Sequence, residues 1–432
     1  MRKFIEKILG FLAKIIINKY HPFIIGITGS LGKTSTKEAI ALVLRKKFFL
    51  RASPKNYNNE IGLPLTIINA KAQGKNFFGW LKVFLKGILT IIFPIKFPQV
   101  LVLEMAADKP GDIKYLTKIA PCQIGVITNI APVHLEKFKT IENILKEKKI
   151  IVTHLSADDW AILNADDEKL MEIKNKIKAK ILTFGFSEKA EVRAIEIKLD
   201  QEITKKGELK INGLIFKVNY QGNIVPFSLP KILAKHQVKS VLAAISVGLV
   251  LGLNLIEISD LLKDFEALPG RFKLIKGIKG SYIIDDSYNS SPIAVEAAIE
   301  VLNEILTLPG RRKIVVLGEM LELGPIAEEA HLEIGKKIAE YNFNLLLTVG
   351  NLAKKIAEGA RKNGFPEESI FEFENSESVS KFLKEKIIYG DIILIKGSQG
   401  VRMEKIVKEI MAEPKKAKEL LVRQEREWEI KI

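Results

Sequence analysis

The sequence predicts an α/β chain: a central, mostly parallel sheet covered by helices, followed by a second, Rossmann-like doubly wound sheet. Three observations predict it. Between Phe23 and about Ala267, short β-branched runs (FIIGIT, VLVLEMA, IGVITNI, WAILNADD) alternate with helical periods such as KEAIALVLRKKF, the rhythm of parallel strands joined by helical crossovers. Beyond EALPGRFKLIKG the rhythm restarts with SYIIDDSY, KIVVLGEM, NLLLTVG and DIILIKG, a second doubly wound pattern. The 432 residues, 47% of them hydrophobic, suffice for two or three cores at about 150 residues per domain.

Taken in chain order, Met1 to Tyr20 (MRKFIEKILGFLAKIIINKY) reads as an amphipathic helix. Lys7 and Lys14 interrupt its apolar run and no small-residue cleavage pattern follows. The central domain is expected over 23–269. It includes an apolar insert at 77–98 (FFGWLKVFLKGILTIIFPIKFP), which Lys82, Lys86 and Pro94 break below the roughly 18–20 uncharged residues a bilayer span needs. Ala190 to Leu229 alternates like strands, with turn-forming Gly and Asn, and predicts a small antiparallel insert. A helix resumes at His236. Pro269 and Gly270 mark a linker, so the C-terminal domain is expected over 270–432. Its last stretch, EPKKAKELLVRQEREWEIKI, reads as a solvated helix.

Lysine and arginine number 67 against 51 acidic residues, a net charge of +16. That excess suits nucleic acid, anionic lipid or a polyanionic small molecule. No RNA- or DNA-binding module appears and the lysines are spread along the chain, so no nucleic-acid partner is expected. The single cysteine, Cys122, excludes an internal disulfide framework. Together with the lack of a signal-peptide pattern it predicts a cytoplasmic protein.

The strongest chemical signal is FIIGITGSLGKTSTKE, an apolar strand running into Gly29, Ser30, Leu31, Gly32, Lys33, Thr34 and Ser35 and then a helix. Glycines let backbone N–H groups approach a triphosphate, Lys33 supplies a cation, and Thr34 offers a hydroxyl to Mg²⁺. This makes the central domain P-loop NTPase-like and predicts ATP and Mg²⁺. A plain Gly-rich turn is the alternative, and the general pattern's first glycine would fall on Ile27. Glu104 ends the strand VLVLE, where a carboxylate could hold Mg²⁺ with Thr34, or simply be a solvated loop residue. His134 follows another strand end, where ligands of open parallel sheets bind.

The T-G-S-x-G-K-T variant resembles the phosphate loop of the Mur ligase family. NYNNEIGLPLTI, EMAADKPGDI, TNIAPVHLEKFKTIENILKEK, ILNADD, IIDDSYNSSP, VLGEMLELG and IKGSQGVRMEKIV look like segments of its MurF type, from about Phe23 to Val407. The resemblance implies an ATP-dependent acid–amino-acid ligase of peptidoglycan precursor synthesis. It would join D-alanyl-D-alanine to a UDP-N-acetylmuramoyl tripeptide through an acyl phosphate. It also implies roles. His134 and Lys148 (as a carbamate) join Thr34 and Glu104 at the metal, and Lys33, Lys148 and His134 are the catalytic set. Lys146 and Lys149 compete with Lys148 for that position, and a basic helix face is the plain alternative. His236 and Gln237 match a His-Asn pair beside adenine, with Gln in place of Asn. Arg271 matches a phosphate-contacting arginine, and Asp286 and Asn289 match residues around ribose and adenine. Asn58 and Asn59 border the nucleotide, and Lys396, Ser398 and Arg402 would hold the D-alanyl-D-alanine carboxylate.

The resemblance also has a gap. MurF-type enzymes carry an N-terminal domain that grips the UDP-sugar, and only about two dozen residues precede the phosphate loop here. Met1–Tyr20 and 77–98 are expected to form an apolar surface, which either completes the substrate site or rests on anionic membrane at the inner face. Helix packing against the core is the alternative. A monomer is expected. The competing functions are a folylpolyglutamate-type ligase, a Mur-like ligase of a lipid-linked substrate, and a non-catalytic nucleotide-binding scaffold at the membrane surface.

Overall fold

The computed structural model describes residues 2–132, 135–205, 208–425 and 428, apart from the side chains of 135 and 136. Its contacts divide the chain into two units. The first comprises Met1–Ile197, Phe216–Phe227 and His236–Lys263, and the second Lys198–Ile215, Ser228–Lys235 and Asp264–Ile432.

The first unit begins with α1 (Arg2–Tyr20), β1 (Phe23–Thr28), α2 (Lys33–Leu44), β2 (Leu50–Ala52), α3 (Gly62–Ile68), α4 (Phe77–Ile92) and β3 (Val100–Glu104). It continues through α5 (Asp112–Ile119), β4 (Ile124–Ile127), α6 (Leu135–Phe138), α7 (Ile141–Lys148), α8 (Ile150–Thr153), β5 (Trp160–Asn164), α9 (Glu168–Glu172) and β6 (Lys180–Gly185). Then follow β7 (Val192–Ile203), β8 (Leu209–Tyr220), β9 (Asn223–Leu229), α10 (Lys235–Val250) and α11 (Leu255–Leu262). The strands order β2-β3-β1-β4-β5-β6-β7-β8-β9. From β2 to β7 neighbouring strands pair parallel. The short links β7–β8 and β8–β9 allow only antiparallel neighbours. Strand order reverses around β1, and the register pairs Ile27 with Glu104 and Thr28 with Ile127, so three strand ends meet there. In open α/β sheets ligands bind at such a switch point.

One face of this sheet carries α1, α3, α4, α5, α7 and α8 around Ile24, Leu101, Leu103 and Ile151. α1 is amphipathic, with one face in the core and one outside. Its Ile5, Leu9, Leu12, Ala13, Ile16 and Ile17 are buried in this core, so it is chiefly a packing helix with only Phe4 and Phe11 standing out as large exposed apolar side chains. Residues at spacings of three and four share one helix face, which is why an interrupted apolar run can still be half core.

The second unit holds β10 (Lys273–Lys276), β11 (Tyr282–Asp286), α12 (Pro292–Glu304), β12 (Lys313–Gly318), α13 (Ala327–Ala339), β13 (Leu345–Val349) and α14 (Lys354–Lys362). β14 (Ile370–Phe373), α15 (Ser376–Lys386), β15 (Ile392–Lys396), α16 (Glu404–Ile410) and α17 (Ala417–Leu420) complete it. Strand order is β10-β11-β15-β12-β13-β14, parallel except for β10. Successive side chains of a strand point to opposite faces. Accordingly Val315, Leu317, Ile392 and Leu394 pack with α12–α14, while Ile314, Val316, Ile393 and Ile395 pack with α15 and α16. The tip of the β7–β8 hairpin belongs here too: Tyr282 Oη donates to Leu209 O at 2.8 Å, and Gln201 Nε2 donates to Glu304 O at 2.8 Å.

In its described residues the C-terminal stretch is not the solvated helix expected. α17 is one turn, and Leu421 and Arg423 are buried. Arg423 Nη1 donates to Ser287 O (3.1 Å) and Glu404 Oε2 (3.1 Å), and its Nη2 donates to Tyr288 O.

Candidate active site

In the first unit β1 feeds the Gly29–Thr34 loop into α2. Gly29 has φ 147°, and a Cβ there would lie 1.9 Å from Thr128 Oγ1. Only glycine fits, because the loop is pressed against the end of β4. Gly32 (φ 78°) starts α2 and no side chain caps it. The loop is tied to the β4 end: Ser30 N donates to Asn129 O (3.0 Å), Leu31 N to Asn129 Oδ1 (2.8 Å), and Thr128 Oγ1 to Leu31 O (2.6 Å). Ser30 Oγ also bridges Ala131, donating to its O and accepting from its N.

Two lysines converge on this loop. Lys33 Nζ donates to Gly29 O (2.8 Å) and Ser30 O (3.1 Å), and Lys148 Nζ donates to the same Gly29 O (3.0 Å). Lys148 is 2% exposed at the end of α7, whereas Lys146 is exposed and Lys149 half-buried. Burial, with Lys33 adding repulsion, pulls the Lys148 ammonium down to about 7. A neutral amine is thus accessible near pH 7, a state an ordinary lysine rarely visits.

Glu104, 1% exposed, ends β3 beside β1. Its Oε1 accepts from Asn58 Nδ2 at 2.8 Å, and its Oε2 is buried without a hydrogen-bond partner. An orphaned carboxyl oxygen is costly unless something occupies it. Among the described residues no three His, Cys, Asp or Glu side chains cluster as a metal cage. Mg²⁺ needs none, since it is typically held by one or two carboxylates with phosphate oxygens and water. Glu104 and the half-buried Thr34 therefore fit that ion. Ser35 lies half-buried on the first turn of α2. Asn59 Oδ1 accepts from Ile61 N and Gly62 N, so its side chain shapes the turn into α3. His134 lies outside the described residues.

Sequence reasoning passed over Lys37. It is fully buried, with Nζ donating to Ser53 O (2.6 Å) and Lys55 O (3.3 Å), and so ties α2 to the loop that presents Asn58. The repeated Lys of GKTSTK was its only signal. On α10, His236 is exposed and Gln237 buried in the first turn, and Ser240 Oγ reaches Gly32 O at 3.5 Å.

In the second unit the ends of β11, β15 and β12 lie side by side, with Asp286 and Leu317 both paired with Lys396. Lys396, 2% exposed, donates to Asp286 Oδ2 (2.6 Å) and Asn289 O (2.9 Å). Asp286 Oδ1 accepts from Phe272 N (3.1 Å), which fixes the neighbouring Arg271, whose guanidinium lies 4.0 Å from the Tyr288 ring centre. Burial raises the adjacent Asp285 carboxyl to about 6 while it accepts from Gly270 N and Ser287 N. Ser398 Oγ accepts from Leu321 N, and His331 Nε2 accepts from Met320 N, so both shape the GEMLELG loop. Arg402 donates to Glu404 Oε1 (2.5 Å) and Trp428 O (3.0 Å). Lys396, Asp286 and Asn289 thus form one cluster, and Ser398 and Arg402 make separate contacts.

The Mur ligase middle domain matches residues 27–79 and 93–248, and the Mur ligase, glutamate ligase domain matches 270–399. The UDP-N-acetylmuramoyl-tripeptide–D-alanyl-D-alanine ligase of Bacillus subtilis (strain 168) is 32% identical over 403 residues, 93% of this chain and 79% of that one. MurF ligase from Thermotoga maritima, solved in complex with ADP, superposes with a TM-score of 0.73 at 27% identity, covering 94% of this chain and 83% of its own. MurF from Acinetobacter baumannii gives 0.74 at 25% identity, covering 92% and 79%. The phosphate loop, the two sheets and these similarities agree, and the chain belongs to the Mur ligase family.

Proposed function

We propose that the protein is an ATP-dependent ligase joining D-alanyl-D-alanine to a UDP-N-acetylmuramoyl tripeptide. The observation that carries the chemistry is the meeting of Lys33 and Lys148 on the Gly29 carbonyl, in the unit where Glu104 holds an orphaned oxygen. The substrate pair is supported by the names of the relatives.

A carboxylate is a poor acyl donor because oxide would have to leave. In the first step the tripeptide carboxylate oxygen attacks the γ-phosphorus of ATP, and the bond from that phosphorus to the ADP oxygen breaks. In the second step the amine of D-alanyl-D-alanine attacks the acyl-phosphate carbonyl. Phosphate leaves with the former carboxylate oxygen, and the amine loses its proton to water. Two anions must approach in the first step, so cations decide its barrier. Lys33 supplies one charge once it turns from Gly29 O to the phosphates, and the first-turn amides of α2 supply dipoles. Thr34, Glu104 and His134 would hold Mg²⁺, which would neutralise phosphate charge. The near-neutral Lys148 amine can add CO₂, forming an N–C bond and releasing a proton, and the resulting carbamate would provide a further metal oxygen.

His236, Gln237, Asp286 and Asn289 are assigned to the nucleoside, Arg271 to phosphate, Asn58 and Asn59 to the loop bordering it, and Lys396, Ser398 and Arg402 to the acceptor carboxylate. A monomer working in the cytoplasm, at the inner face of the membrane, goes with this reading. The test is phosphate release from ATP with UDP-muramoyl tripeptide and D-alanyl-D-alanine, each omitted in turn, with mass spectrometry of the product. Release that needs both, with the pentapeptide mass, is expected. Release without acceptor, or none with both present, overturns it.

A further inference from the structure

The match to the family's middle domain stops at residue 79 and resumes at 93, and the gap is most of α4. Most of this helix therefore lies outside what the family model matches. It is firmly held. Asn76 Oδ1 caps it by accepting from Gly79 N, and Trp80 Nε1 donates to Gly74 O (3.0 Å). At its far end Lys19 Nζ donates to Ile91 O (2.7 Å) and Phe93 O (3.0 Å), and Tyr20 Oη donates to Thr90 O (2.9 Å). A Cβ on Gly87 would come within 3.0 Å of Leu12 Cδ1, so α4 lies close against α1.

Only a narrow stripe of α4 is buried: Gly79, Trp80, Val83, Gly87 and Thr90. Of the rest, Phe84 and Ile91 are half-buried, and the outward face is apolar but for Lys82 and Lys86. Phe78, Leu81, Leu85, Leu89, Ile92 and Phe93 are between 42% and 72% exposed. Isolated exposed apolar side chains need no explanation, but a contiguous ridge of them marks an interaction surface. α1 adds an exposed stripe of Phe4, Lys7, Phe11 and Lys14, spaced three, four and three apart.

Charge selects the occupant. Between residues 61 and 103 there are five lysines, Lys71, Lys75, Lys82, Lys86 and Lys96, and no Asp or Glu. A second copy of this face would bring lysine against lysine. A bilayer of anionic lipid offers acyl chains to the ridge and phosphates to the exposed lysines, of which Lys86 also donates to Asn69 O. The 16 residues of α4 extend about 24 Å, with Lys82 and Lys86 mid-helix, and no described helix is long and apolar enough to cross a membrane. The helix lies on the surface rather than through it.

We propose that α4, with the Phe4–Phe11 stripe of α1, docks the protein peripherally on anionic bilayers. This stands apart from the ligase reading, because vesicle binding and turnover are measured separately. The test is sedimentation of the intact chain with vesicles of phosphatidylcholine alone or mixed with phosphatidylglycerol. Binding to the mixed vesicles at low salt is expected. It should weaken at least about 10-fold on phosphatidylcholine alone and on raising salt, and by a similar factor for the double variant Leu81→Glu, Leu85→Glu. Both positions are exposed, so that variant should melt and turn over like the parent. No binding to anionic vesicles, or equal binding by the variant, overturns the proposal. So does light scattering that shows a dimer which the variant converts to monomer, since a second copy would then cover the face.

Discussion

Lys148 shares one carbonyl oxygen with Lys33, and burial holds it near 7. Its folded pKa lies below that of the unfolded chain, so between about 7 and 10.5 the unfolded state binds the extra proton and stability rises with pH; below about 7 both states are protonated and this contribution is flat. In carbonate-free buffer, Lys148→Met should lose that part of the slope in denaturant titrations across the window. With ¹³C-bicarbonate the parent should show a carbamate carbonyl resonance that Lys148→Met lacks, and the variant's turnover should fall by about 100-fold or more. Glu104→Gln keeps an acceptor for Asn58 Nδ2 but replaces the orphaned oxygen with an amide. It should lower turnover on the order of 100-fold and move the Mg²⁺ titration to higher concentration. Motif spacing made Gly29, Lys33 and Thr34 legible. The resemblance favours Lys148 over Lys146 and Lys149, and the structure adds that its side of α7 is the one that meets Gly29. Gly26, next to the Ile27 on which the general pattern's first glycine would fall, lies mid-strand in β1, where a Cβ would sit 2.4 Å from Cys122 Sγ. It serves packing.

At the scale of elements, the β1–α2 turn depends on how close the end of β4 lies. Gly29→Ala would put a methyl group against Thr128 Oγ1 and impose a positive φ on alanine. About 3 kcal/mol of destabilisation is expected, read as a lower denaturation midpoint, with loss of nucleotide binding by calorimetric titration. The C-terminal segment shows what sequence conceals. Composition reads it as a solvated helix, whereas Arg423 reaches back across more than a hundred residues to Ser287 O and Tyr288 O while pairing with buried Glu404. No local periodicity encodes a contact of that span. Arg423→Ala strips one partner from a carboxylate that Arg402 also binds, and should cost about 3 kcal/mol in stability. Arg423→Lys should recover only part of it, since a single ammonium cannot reproduce the guanidinium fork.

Over the whole molecule, alternating strands and helices made both parallel sheets legible, because each strand's apolar run reports burial on two faces. The β7–β8 hairpin was legible as an antiparallel insert, but not the unit its far end joins. Its tip counts with the second unit through Leu209 and Gln201, whose partners near Tyr282 and Glu304 lie far along the chain. Each unit buries its own core, so unfolding need not be all-or-none. Calorimetry should resolve two transitions. The phosphate loop lies in the first unit, so ADP with Mg²⁺ at about 100 times its dissociation constant should stabilise that unit by about 2.7 kcal/mol. Lys33→Ala should abolish the shift while leaving both transitions in place. A single transition that nucleotide moves as one would instead mean that the two cores unfold together, and a shift that survives Lys33→Ala would remove the phosphate loop from nucleotide binding.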